Sequence, residues 1–111
     1  MNRQSKASAQ SMRMKALAQK ALADGRQFIT LREARLNAKV SIEKAAEFAG
    51  ITVRTMRSWE ANCGKVRSFS IYRLFSLYGV NPNHVFAGDE TILHEVRIEY
   101  YKNEVLKNVT G

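Results

Sequence analysis

The sequence predicts an all-α fold, and three observations carry that expectation. Apolar residues recur at helical spacing on both sides of Gly50. Capping residues stand ahead of the periodic segments, and the first third of the chain is rich in helix formers. At 111 residues and 45% hydrophobic content the chain supports one compact domain with terminal extensions. The expected division is a basic N-terminal arm and helix over 1–27, a helical domain over 28–90 and a C-terminal extension over 91–111.

Met1 to about Ala9 is polar and basic, with Arg3 and Lys6, and is expected to be disordered in isolation. From Gln10 to Asp24 the helix formers put Met14, Leu17, Ala18, Ala21 and Leu22 on one side. Gly25 supplies the stop, so an extra N-terminal helix is expected.

Thr30 and Glu33 have capping-box spacing and open a helix to about Lys39, with Leu31, Ala34 and Leu36 turned inward. Two short helices follow at about 42–49 and 53–61. Ile42, Ala45, Ala46 and Ala49 form the stripe of the first, and Val53, Met56 and Trp59 that of the second. Ser41 and Thr52 can cap them, because a hydroxyl there accepts from a first-turn amide that has no helical partner. Gly50 can take the left-handed angle of the turn between them, Ile51 can plug the junction, and Ala46 is small enough for a close crossing. Two helices joined in this way are the helix-turn-helix signature.

After the loop Asn62–Lys65, a helix at about 69–78 is expected with Ser68 as its cap. Phe69, Tyr72, Leu74, Phe75 and Tyr78 stand at helical spacing and are read as core or subunit-interface residues. For 91–108 two readings stand. His94–Tyr101 alternates like a strand, whereas Leu93, Val96 and Tyr100 suit one face of a helix, and helix is preferred. With its large apolar residues this segment is a candidate dimerisation element or a surface that packs on its own domain.

The net charge of +8 is uneven: residues 1–67 hold 14 Lys and Arg against 5 Asp and Glu, whereas 68–111 hold 4 against 5. A basic surface of that kind suits phosphate. The single Cys63 excludes an intrachain disulfide, and His84 and His94 have no metal-ligand spacing with it, so a reducing cytoplasm is expected. Neither a signal peptide nor a membrane span is expected. No glycine-rich phosphate loop and no defensible catalytic constellation is present, so neither enzyme activity nor a cofactor or metal is expected.

Over roughly residues 28 to 88 the chain resembles the Xre/Cro family of bacterial and phage DNA-binding repressors. Ala46, Gly50, Ile51, Met56, Trp59 and Glu60 match its motif, and Gly79–Glu90 is similar to its closing segment, where a Gly-Val turn leads into a short helix ending in Phe-x-Gly. Ile42 departs from the Gln common there, and the usual proline after the second helix is lacking. The resemblance implies a five-helix, lambda-repressor-like domain whose helix 53–61 enters the major groove of double-stranded DNA. Tyr78, Val80, Val85 and Phe86 would seal its core.

Carried onto this chain, the outward positions are Thr52, Val53, Arg54, Arg57 and Ser58. Arg54 and Arg57 are suited to a guanine edge, and Val53 to a thymine methyl or to sealing the turn. Thr55 is a further hydroxyl near the groove. Lys44, Lys65 and Arg67 would meet phosphate. Arg3, Lys6, Arg13 and Lys15 would either track the adjacent groove or remain solvated. The function implied is a transcriptional regulator, a phage or prophage repressor acting as a homodimer on a palindromic operator. The alternative is an antitoxin or phage accessory protein whose main partner is another protein, held through 91–111.

Overall fold

The computed structural model describes residues 3–26, 28–66 and 69–110, with no side-chain detail for 3–8, 65 and 108–110. The described chain is all-helical: α1 (Arg3–Ala23), α2 (Leu31–Asn37), α3 (Ile42–Ala49), α4 (Val53–Ala61), α5 (Phe69–Tyr78) and α6 (Glu90–Thr110). Single 3-10 turns lie at Cys63–Lys65 and Pro82–His84. Isolated bridges join Ile29 to Val85 and Asn62 to Asp89. No helix among the described residues is long and apolar enough to cross a membrane.

The chain divides into two compact units, Phe28–Glu90 and the pair of segments Met1–Gln27 and Thr91–Gly111. Local chemistry sets the helix ends in the first. Thr30 and Glu33 form the expected reciprocal box, with 3.0 Å from the Glu33 amide to Thr30 Oγ1 and 2.8 Å from the Thr30 amide to Glu33 Oε1. Ser41 accepts from the Lys44 amide and Thr52 from the Thr55 amide, each at 3.1 Å. Left-handed residues close three helices in turn: Lys39 (φ 59°) after α2, Gly50 (φ 72°) after α3 and Gly79 (φ 67°) after α5. In each case the next amide reaches back into the last turn, as Ile51 does to the Ala46 carbonyl at 2.9 Å.

Inside this unit Ala45, Ala46 and Ala49 face α4 and α5 with little side chain between the backbones. Leu31, Met56, Leu74 and Phe75 fill the volume those alanines leave. The ends of the unit meet: the Ile29 amide donates to the His84 carbonyl and the Phe86 amide to the Ile29 carbonyl, both at 2.8 Å. The Phe28 and Phe86 rings pack edge to face at 5.8 Å.

Several expectations are corrected. The N-terminal helix begins at Arg3, not near Gln10, because the run from Arg3 to Gln10 has no Gly or Pro to stop a helix. Helix α2 ends at Asn37, where Lys39 turns left-handed, and Leu36 is exposed, not inward. Phe69 and Tyr72 are not core: they are 88% and 60% exposed, while Ile71, Leu74, Phe75 and Tyr78 take the buried side of α5. The closing segment holds a single 3-10 turn that ends before Phe86, since Asn81 caps Pro82 and Val85 is already extended. The helix preferred for 91–108 is the one observed, and the strand-like alternation at His94–Tyr101 lies within it. The expected cap Ser68 lies outside the described residues.

In the other unit α1 buries Ala18 and Ala21 completely but leaves Leu17 exposed. It ends at Gly25 (φ 76°), with the Arg26 amide bonded to the Ala21 carbonyl at 2.8 Å. Helix α6 buries Leu93 and Val96.

Candidate nucleic-acid interface

Helix α4 is built to be gripped on one side and bare on the other. Met56 and Glu60 are buried, while Val53 and Trp59 are partly buried against the core. At about 100° per residue, Arg54, Arg57, Ser58 and Ala61 share an arc of roughly 100° on the far side. All four are exposed. Neither Arg54 nor Arg57 is paired with a carboxylate among the described residues.

Glu60 is the grip. Its carboxylate, 1% exposed, takes Arg35 Nε at 2.6 Å and a second guanidinium nitrogen at 3.3 Å, a forked pair between α4 and α2. Arg35 also donates to the Val40 carbonyl at 3.0 Å. Arg32 stands 3.7 Å from Glu60 and 2.9 Å from Glu90, so a chain of charges links α2, α4 and Glu90 within this unit. The Glu60 hydrogen bond raises the Arg35 guanidinium above its ordinary range, against the opposing effect of burial. Arg35 is thus committed internally, whereas Arg32 is 47% exposed.

At the N-terminal end of α4, the Thr52 hydroxyl accepts from the Thr55 amide and donates to Thr55 Oγ1 at 3.0 Å. Its proton is therefore committed, whereas the Thr55 hydroxyl accepts and keeps its own proton to donate. Val53 rests against the core, the left-handed Gly50 closes α3 just ahead of this end, and Lys44 is exposed in the first turn of α3. At the other end a shallow cleft of about 350 Å³ is lined by Ser58, Trp59, Ala61, Asn62 and Val66.

Thr52, Val53, Arg54, Arg57, Ser58 and Lys44 thus belong to one helix-turn-helix segment. Lys65 ends the following 3-10 turn, and Arg67 lies outside the described residues. Arg13 and Lys15 are exposed on α1, and the side chains of Arg3 and Lys6 are outside the described residues. Sequence reading missed two cations. Arg73 of α5 lies over the Phe48 ring of α3 at 4.8 Å from its centroid, and Lys39 is exposed at the left-handed close of α2. A basic residue at a helix close was the only signal for Lys39, and Arg73 had none beyond its charge.

Cys63 is buried and donates its thiol proton to the Phe86 carbonyl at 3.2 Å. Burial pushes its pKa up, so it stays a protonated packing residue.

No family model matches the chain, no curated protein matches it, and no solved structure matches it.

Proposed function

We propose that this chain is a sequence-specific DNA-binding transcriptional regulator with a lambda-repressor-like domain, a phage or prophage repressor of the bacterial cytoplasm. It binds a palindromic operator as a homodimer, with α4 in the major groove, and it is not an enzyme. The observation that carries the reading is the bare face of α4. A short helix, held from behind by Met56 and the Glu60–Arg35 pair, presents Arg54 and Arg57 with no carboxylate partner among the described residues.

A forked guanidinium on a guanine edge discriminates by about 1–3 kcal/mol, and a helix is the element that the major groove admits. In this reading Arg54 and Arg57 read bases, and Val53 contributes a methyl contact beside them. Thr52 and Ser58 adjoin the groove, and Lys44, Lys65 and Arg67 take phosphates. The two half-sites lie about 10 base pairs, roughly 34 Å, apart.

The test is binding of the full chain to the DNA upstream of its own gene and to random duplex of equal length, across a range of salt. The expected result is selective, salt-dependent binding in two half-site footprints. Arg54→Ala should lose about 1–3 kcal/mol on the operator and relax one base pair, with little change on random DNA. Equal losses on both duplexes would remove Arg54 as a base reader, and absence of selectivity in the native chain would overturn the proposal.

The second reading, an antitoxin or accessory protein acting through a protein partner, is favoured by the exposed apolar residues of α6, Ile98, Tyr101, Val105 and Leu106. It predicts a tight complex with the product of a neighbouring gene.

A further inference from the structure

The outer face of α6 is more ordered than a scatter of exposed apolar residues. Ile98, Tyr101 and Val105 are 67%, 59% and 59% exposed, and with His94 they repeat at alternating steps of four and three. At about 100° per residue they form one stripe, turned well away from buried Leu93 and Val96.

Charges flank the stripe on both sides. Glu95 and Lys102 run along one flank, Arg97 and Glu104 along the other. In a parallel, in-register pair of such helices each flank meets the opposite flank of its neighbour, which sets Arg97 against Lys102 of the second copy. In an antiparallel pair each flank meets its own counterpart. Glu95 then faces Lys102, Arg97 faces Glu104, and by two-fold symmetry each pairing occurs twice. The same register stacks Ile98 on Tyr101 and His94 on Val105. Like charges disfavour the parallel arrangement and opposite charges favour the antiparallel one, which is how flanking residues set orientation in paired helices.

We propose that the outer stripe of α6 is a self-association surface, occupied by α6 of a second copy of this chain in antiparallel orientation. This rests on the homodimer of the function proposed above and identifies its contact. The stripe is short, so the interface belongs with small, weak ones, and dimerisation is expected in the micromolar range.

The experiment is sedimentation equilibrium of the full chain over a wide concentration range, with circular dichroism to verify that each variant is folded. All substituted positions are on the exposed side of α6. Ile98→Glu should abolish the dimer. Lys102→Glu should weaken it roughly tenfold, by setting Glu95 against a second acid, and Glu95→Lys with Lys102→Glu should restore it. A native chain that stays monomeric overturns the proposal. So does a dimer indifferent to Ile98→Glu, or one that Lys102→Glu tightens, the result a parallel pair requires. Binding of the same variants to a single half-site duplex separates the two proposals. A native chain that is monomeric yet binds the half-site would overturn the α6 contact alone, and a native dimer that binds no DNA would overturn the DNA reading alone.

Discussion

Replacing Glu60 with alanine should be among the most damaging single changes in the unit Phe28–Glu90. The carboxylate is 1% exposed and its main partner, Arg35, 12% exposed, so truncation leaves a guanidinium in a site with little water. Breaking one side of a buried pair costs about 3–5 kcal/mol, against a total stability of about 5–15 kcal/mol. The lower end applies, because Arg35 keeps its 3.0 Å bond to the Val40 carbonyl. Arg32 adds little, since it is 47% exposed, sits 3.7 Å from Glu60 and retains Glu90 at 2.9 Å. A loss of about 3 kcal/mol lowers the melting temperature of a unit this size by roughly 12–24 °C. Urea unfolding of the native chain, the Arg32→Ala, Arg35→Ala and Glu60→Ala variants and the two double variants that include Glu60→Ala should give an Arg35–Glu60 coupling above about 2 kcal/mol and an Arg32–Glu60 coupling below about 1 kcal/mol. Arg35→Met with Glu60→Leu should recover most of the loss, because apolar side chains of similar size fill a buried site without a desolvation cost. A Glu60→Ala loss under about 1 kcal/mol would refute the reasoning, since that is the value of an exposed pair.

Tyr78 should make stability fall in strong alkali. Burial, and then the negative charge of Glu60, push its pKa up to about 12. The folded chain therefore holds a proton that the unfolded chain releases near pH 10. The stabilisation is complete below that value and is lost as pH rises toward 12, about 2–3 kcal/mol in all. Tyr78→Phe should abolish that loss while leaving stability at pH 7 no lower, because the hydroxyl has no hydrogen-bond partner among the described residues. Parallel alkaline unfolding curves for the two chains would contradict this. Two glycines should respond differently to the same replacements. At Gly50 (φ 72°) a Cβ meets nothing within 4 Å, so the cost is backbone conformation alone. Alanine should lose about 1–2 kcal/mol there and asparagine less. At Gly64 a Cβ would sit 2.5 Å from the Ala87 carbonyl oxygen, so asparagine should be at least as harmful as alanine. Thermal melts of the four variants check the contrast.

What was legible in the sequence was local. Capping residues, the Gly50 turn and the stripes of α3 and α4 depend on partners within four residues, and there the expected elements match the structure. The failures involve distance along the chain or competition between faces. Arg35 and Glu60 are 25 residues apart, and nothing at either position announces the other. Glu60 could be picked out only as part of a resemblance, not as an anchor. Leu36 is expected inward because it is apolar, yet α2 buries Leu31 and Ala34 instead, and Phe69 and Tyr72, expected in the core or at a subunit interface, stay out of the core because Ile71, Leu74, Phe75 and Tyr78 already occupy the buried side of α5.

The same competition explains α6, and it bears on the candidate interface. Two apolar stripes run along that helix, one through Leu93 and Val96, the face expected to pack, and one through Ile98, Tyr101 and Val105, to which spacing alone gave no separate role. The fold covers the first and leaves the second exposed. On α4 the problem does not arise, because the face opposite Met56 is polar and only one side can be buried. That is why the arginines of α4 could be placed outward from sequence alone, whereas the outer stripe of α6 emerged only once its inner one was seen to be filled.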